Sequence, residues 1–161
     1  MKTISLSRGA VAIVDDADFE RLSCMSWYLS SEGYAVRSSK ELGTVVRMHR
    51  EILGVDCPPQ VDHRNGVRLD NRRTNLRACT KSQNNMNARK RERTTSRFKG
   101  VYWLTANGRW RAKITLDGRS KHLGLFDEEV AAAAAYNAAA TQHFGEFARL
   151  NTIPQEAAYA G

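Results

Sequence analysis

Asp62 and His63 are adjacent, Asn75 follows twelve residues after His63, and Asn84 comes nine after that, all within VDHRNGVRLDNRRTNLRACTKSQNN. A carboxylate beside an imidazole places a hard metal ligand next to a group that exchanges protons near neutral pH. From Arg64 to Arg77 the chain carries five Arg against one acid, Asp70. Metal-site chemistry inside a basic surround points to a polyanionic substrate, and phosphodiester cleavage is the reaction that would use these groups together.

Those residues need a frame. Pro58-Pro59 stops regular structure. Val61-Asp62-His63 is predicted as a short strand, Asn65-Gly66 as a tight turn and Leu69-Asp70-Asn71 as the returning strand. Thr80-Lys81-Ser82-Gln83 fits a capping box, in which Thr80 caps a helix and Gln83 reaches back to it. Asn84 then falls in the first helical turn. The order is strand, strand, helix, with a metal expected between strand and helix. Upstream, residues 1–54 form a β-rich scaffold. It has a hairpin of Thr3–Leu6 with Val11–Val14, a short acidic helix over Asp15–Leu22 and a second hairpin around Ser30–Gly33. A strand and short helix over Thr44–Leu53 follow, ended by Gly54.

Length and charge bound the class. The 161 residues suffice for one ordinary domain or two small ones, and the net charge of +8 favours nucleic acid or an anionic surface as partner. No apolar run approaches the roughly 18 residues of a spanning helix, and MKTISLSRGAVAIVDD lacks a signal-peptide core. The expectation is a cytoplasmic protein with no membrane and no disulfide partner. Cys24, Cys57 and Cys79 read as reduced thiols, since no C-x-x-C pair exists for a structural zinc.

Residues 89–97 form a basic linker carrying Arg89, Lys90, Arg91 and Arg93, either a solvated tether or a strip lying along phosphates. Residues 98–151 read as a separate unit, with 152–161 as a tail. Val101–Trp103, Trp110–Leu116 and Lys121–Leu125 are predicted strands, joined through Ala106-Asn107-Gly108 and Asp117-Gly118. Asp127 is the expected cap of an Ala-rich helix ended by Gly145. In the middle strand Trp110, Ala112 and Ile114 share one face and Arg111, Lys113 and Thr115 the other. The apolar face should rest on the helix, and the basic face should meet water or nucleic acid.

The segment from about 44 to 90 resembles the HNH endonuclease family, in the variant whose third motif residue is Asn. Asp62-His63, Asn75-Leu76 and Asn84-Asn85 carry the likeness, and Arg47-Met48-His49-Arg50 resembles the segment preceding the motif in phage and intron-encoded members. The resemblance implies a ββα-metal nuclease core at 55–88. His63 would be the general base and Asp62 and Asn84 the ligands of Mg²⁺ or Mn²⁺, while Asn75 would orient the His63 loop. Residues 97–151 resemble the Apetala/ethylene-response-factor DNA-binding domain through Phe98-Lys99-Gly100-Val101-Tyr102, Gly108–Ala112, Leu123–Phe126 and the stretch from Ala132 to Asn151. That likeness implies a three-stranded antiparallel sheet backed by one helix and laid into the major groove. Lys99, Tyr102, Arg109, Arg111, Lys113, Thr115, Ser120, Lys121 and His122 would be the DNA contacts.

The whole reads as an α+β, site-specific DNA endonuclease of phage or mobile-element type, in host cytoplasm if phage-encoded. Its partner would be duplex DNA. A monomer would suggest nicking and a homodimer a double-strand break. Two alternatives stay open: a catalytically inactive DNA-binding transcriptional regulator retaining the nuclease fold, and an RNA-binding module.

Overall fold

The computed structural model describes residues 1–54, 57–90 and 94–154. They divide into two compact units, Met1–Asn84 and Asn85–Gly161. The fold is α+β, built from small antiparallel sheets.

In the first unit β1 (Lys2–Ser5) and β2 (Val11–Val14) form a hairpin through a 3-10 turn at Ser7–Gly9, where Arg8 and Gly9 both take positive φ. Helix α1 (Asp16–Ser23) follows. Then β3 (Tyr28–Leu29), β4 (Ala35–Ser39) and β5 (Thr44–Arg47) make a three-stranded sheet with β4 in the middle. Helix α2 (Met48–Leu53) ends at Gly54, whose φ of 67° suits a residue without Cβ. β6 (Val61–His63) pairs with β7 (Leu76–Ala78), and α3 (Lys81–Asn87) comes next.

A single core holds these pieces. Ile4, Ala12, Val14, Leu22, Trp27, Met48, Ile52 and Leu76 pack in one buried cluster, so the N-terminal elements and β7 share one interior. The capping box forms: Thr80 N–H donates to Gln83 Oε1 at 2.8 Å and Gln83 N–H to Thr80 Oγ1 at 3.1 Å.

The returning strand is not Leu69–Asn71. β6 pairs with Leu76–Ala78 instead, after a 3-10 turn at Arg73–Asn75. Leu69–Asn71 is engaged elsewhere: Ile13 N–H donates to Leu69 O and Asn71 N–H to Ile13 O, both at 2.8 Å, in a parallel bridge to β2. The backbone groups a hairpin would have used are satisfied by a strand more than 50 residues upstream.

In the second unit β8 (Val101–Leu104), β9 (Arg109–Leu116) and β10 (Arg119–Phe126) form an antiparallel sheet with β9 central. Asp117 and Gly118 both have positive φ at the β9–β10 turn. Helix α4 (Glu129–Phe144) lays Ala132, Ala133, Tyr136, Ala140 and Phe144 against Phe98, Val101, Ala112 and Ile114. Gly100 is needed here: a Cβ on it would sit 2.0 Å from the Tyr136 ring. Asp127 does not cap α4. Glu128 holds the cap position with no side-chain cap bond, and the Asp127 carboxylate is forked onto Arg109 at 2.8 Å through both oxygens. Glu129, in the first turn, accepts from Ser96 Oγ and Arg97 N–H.

Candidate functional site

β6 sets Asp62 and His63, both buried, at the start of a loop that runs to β7. Asn75 closes that loop. Its Oδ1 accepts from Asn65 N–H at 3.0 Å, its Nδ2 donates to Asp70 O at 2.7 Å, and its own carbonyl accepts from Arg64 N–H at 2.9 Å. Asp70 is the loop's second knot. Arg72 forks onto its carboxylate at 2.8 and 2.6 Å and Asn65 Nδ2 adds a bond at 2.8 Å; the Arg72 guanidinium holds this carboxyl below the usual carboxylate range. Arg73 then ties the loop to α1. Its guanidinium forks onto buried Asp18 at 2.8 and 2.9 Å and reaches Ile52 O, while its N–H meets Asp15 Oδ2.

His63 Nε2 lies 3.3 Å from Oδ1 of Asn71, a residue only 1% exposed. Asn71 Nδ2 donates to Leu69 O at 3.2 Å, which fixes the amide so that its acceptor faces the imidazole. Nε2 must therefore carry the hydrogen, and in the neutral ring the lone pair belongs to Nδ1. Burial pushes the His63 pKa below its ordinary value, against the Asn71 bond and the charges of Asp62 and Asp70. The His49 ring stands edge-on to His63 at 5.2 Å between centroids, and Tyr34 lies 6.0 Å from His63 and 5.6 Å from His49.

Asp62 faces Arg77 across the β6–β7 register, and Arg77 Nε and Nη2 reach Asp62 Oδ2 at 2.9 and 2.6 Å. Asn84 is half-buried in the first turn of α3, its N–H bonded to Thr80 O at 3.0 Å. Asp62 and Asn84 thus offer oxygen donors from β6 and α3. Asn71, Tyr34 and Arg77 were not singled out from sequence as members of this site, and His49 entered only within Arg47-Met48-His49-Arg50, the segment upstream of the motif. Only the Asn-rich run itself could have flagged Asn71, and nothing local distinguishes it from Asn65.

In the second unit the register brings most of the expected DNA contacts to one face. Tyr102 is opposite Arg111, Lys113 opposite His122, and Thr115 opposite Ser120. Lys113 Nζ sits over the Tyr102 ring at 4.5 Å, and the buried Arg111 Nε has no hydrogen-bond partner among the described residues. Three residues stand differently. Lys121 is opposite Ile114, the parity of the helix-facing side, and Arg109 is paired with Asp127. Lys99 Nζ donates to the carbonyls of Met86 and Ala88 at the end of α3, and burial lowers its pKa to about 8. Arg89 and Lys90 follow α3; Arg91 and Arg93 lie outside the described residues.

Residues 54–86, which span β6, β7 and most of α3, match the HNH endonuclease family. The chain belongs to that family. Over 152 residues, 91% of this chain and 77% of the relative, it is 32% identical to a protein of Acanthamoeba polyphaga mimivirus described as an uncharacterized HNH endonuclease. No helix among the described residues is long and apolar enough to cross a membrane.

Proposed function

We propose that this chain is a metal-dependent, site-specific DNA endonuclease of phage or mobile-element type, with His63 as its general base in a ββα-metal core. The observation that carries this reading is the chain Leu69 O–Asn71–His63, which makes Nε2 the donor and gives the lone pair to Nδ1. Nδ1 takes a proton from the attacking water, and the resulting imidazolium keeps Nε2–H on Asn71 Oδ1. The lowered pKa keeps His63 neutral, and so able to accept a proton, at pH 7. Asn75 and the Asp70–Arg72 pair hold the loop on which that geometry depends.

Asp62 and Asn84 would hold the cation. A carboxylate and an amide carbonyl are hard oxygen donors, a set that suits Mg²⁺ or Mn²⁺ with phosphate and water completing the shell. Such a cation supplies Lewis-acid polarisation of the phosphate and stabilises the leaving oxygen. Arg77 compensates the buried Asp62 charge from the opposite strand.

The second unit is the proposed duplex-DNA reader, of Apetala type, through Tyr102, Arg111, Lys113, Thr115, Ser120 and His122 on one sheet face, with Arg89 and Lys90 beside phosphates. The test is supercoiled plasmid with Mg²⁺, scored for nicked and linear product. Cleavage should stop in EDTA and fall about 10²–10⁴-fold in His63→Ala, with DNA affinity kept. His63→Ala cutting at the wild-type rate, or cutting undiminished in EDTA, sinks the assignment.

A further inference from the structure

Tyr34 carries two guanidinium groups. The Arg47 Cζ lies 4.8 Å and the Arg68 Cζ 4.9 Å from the ring centroid, although the two residues come from β5 and from the loop after β6. Both also converge on one residue of the β3–β4 turn. Arg47 Nη2 reaches Glu32 Oε2 at 2.7 Å, and Arg68 Nη1 donates to the Glu32 carbonyl. The same Tyr34 ring is 6.0 Å from the His63 ring. Two cations and one exposed carboxylate therefore share a patch beside the base.

Packing alone does not require this arrangement. Two like charges on one ring repel, and among the described residues the carboxylate answering them sits on a side chain 62% exposed. An exposed pair of this kind is weak and exchanges readily. Stacking occupies the faces of the ring and leaves the in-plane N–H edges of each guanidinium for oxygen acceptors. A phosphodiester offers two anionic oxygens and makes stronger charge-assisted bonds to such a fork than a solvated carboxylate does. An open groove of about 340 Å³ adjoins the patch, lined by Ser30, Ser31, Glu32, Val45, Arg47 and Arg50, so hydroxyl donors flank the cations.

We infer that Arg47 and Arg68 form a phosphate clamp for the DNA strand beside His63, and that the Glu32 carboxylate holds the phosphate's place on Arg47 in the free protein. This rests on the nuclease reading for its choice of polyanion. The clamp binds one stretch of strand backbone next to the base, and Glu32 makes entry competitive, so that only a polyanion displaces it.

The test is binding of duplex DNA by the full chain in EDTA across salt concentrations, with thermal melts to confirm folding. Arg47→Gln with Arg68→Gln should flatten the slope of log affinity against log salt by at least about 0.9, the amount for one lost phosphate contact. Arg47→Lys, which keeps charge but loses the fork, should keep the slope and bind several-fold more weakly. Glu32→Gln should bind several-fold more tightly than wild type. An unchanged slope in the folded double variant, or no gain from Glu32→Gln, overturns the clamp. Plasmid cleavage by the wild-type protein separates the two claims. If the wild type cuts and the slope does not respond, only the clamp fails. If the slope responds and nothing cuts, the clamp stands as a nucleic-acid contact and the nuclease reading fails.

Discussion

Arg72, Arg73 and Arg77 of the first unit each meet a carboxylate within that unit: Asp70, Asp18 and Asp62. Across the sheet of the second unit, Arg111 and Lys113 instead stand beside Tyr102 and His122 on the face away from α4, with no salt bridge seen among the described residues. The same residue type has two uses. In the first unit arginine fixes the loop that aims His63 and Asn75. In the second, Arg111 is offered at a sheet face, while Arg109 is paired with Asp127. The basic stretch from Arg64 to Arg77 therefore overstates the charge available to a polyanion, because Arg72, Arg73 and Arg77 are answered by acids. The positive surface of the first unit is better sought at Arg47 and Arg68.

The largest effect should come from the residue that the first unit's arginines serve. His63→Ala should cost about 10²–10⁴ in cleavage rate at saturating DNA with little change in affinity. Arg111→Gln, by contrast, should change affinity and leave the rate at saturation near wild type. A variant pair in which both substitutions alter rate and affinity alike would erase the division between the units.

Next comes the buried pair. Asp62 and Arg77 side chains are each 6% exposed, so Arg77→Met strands a buried carboxylate and should destabilise the first unit by about 3–5 kcal/mol. Mg²⁺ should restore part of that loss, since a cation on Asp62 compensates the same charge and stabilises the folded state by mass action. The check is a thermal melt with and without Mg²⁺. A melt of Arg77→Met that matches wild type without metal would mean that water already compensates Asp62.

Much of the fold was legible because its causes are local. The capping box at Thr80 and Gln83, the alternation along β9 and the Ala-rich stripe of α4 each depend on residues within a few positions of one another. The candidate site could be proposed from sequence as a set of residue types, not as a geometry. Asn71 acquires its role from Ile13, which takes its backbone, and Asp18 acquires its role from Arg73, 55 residues away. No window of sequence contains either pair. Asp127 was misassigned for a related reason: a cross-strand Arg109 competes for the carboxylate that a local rule gives to the helix cap.

Acidity should separate the two units. Burial, then the nearby charges of His63, Arg47 and Arg50, push the His49 pKa down to about 3. The unfolded chain binds a proton there near pH 6.5 and the folded chain does not. The stabilisation is therefore complete above pH 6.5 and is lost as pH falls toward 3, by about 1.4 kcal/mol per pH unit. Asp18 and Asp70, held low by Arg73 and Arg72, add their losses only below the ordinary carboxylate pKa of 3.8. Lys99 of the second unit, lowered from 10.5 to about 8, acts at the other end: stability is complete above pH 10.5 and declines as pH falls to about 8. Denaturant midpoints measured from pH 4 to 6.5 should flatten in part in His49→Gln, leaving the share that His63, also lowered by burial, contributes below pH 6.5, and should not flatten in Lys99→Met. Equal flattening by both would remove the contrast.

The smallest effect probes the arginines themselves. Arg111→Gln and Lys113→Gln should each flatten the salt dependence of DNA affinity by roughly 0.9 in slope, because each removes a cation that faces the open side of the sheet. Arg72→Gln is the matched control from the first unit. Its guanidinium is forked onto Asp70, and binding a phosphate would mean leaving that buried carboxylate without its countercharge, held by the neutral Asn65 amide. The slope should therefore stay as in wild type, while the loop it braces loosens and the cleavage rate falls. If Arg72→Gln flattens the slope as much as Arg111→Gln does, an arginine can serve loop and substrate at once. If the Arg111 and Lys113 variants leave the slope untouched in a folded protein, the open face of the second unit is not where duplex DNA is held.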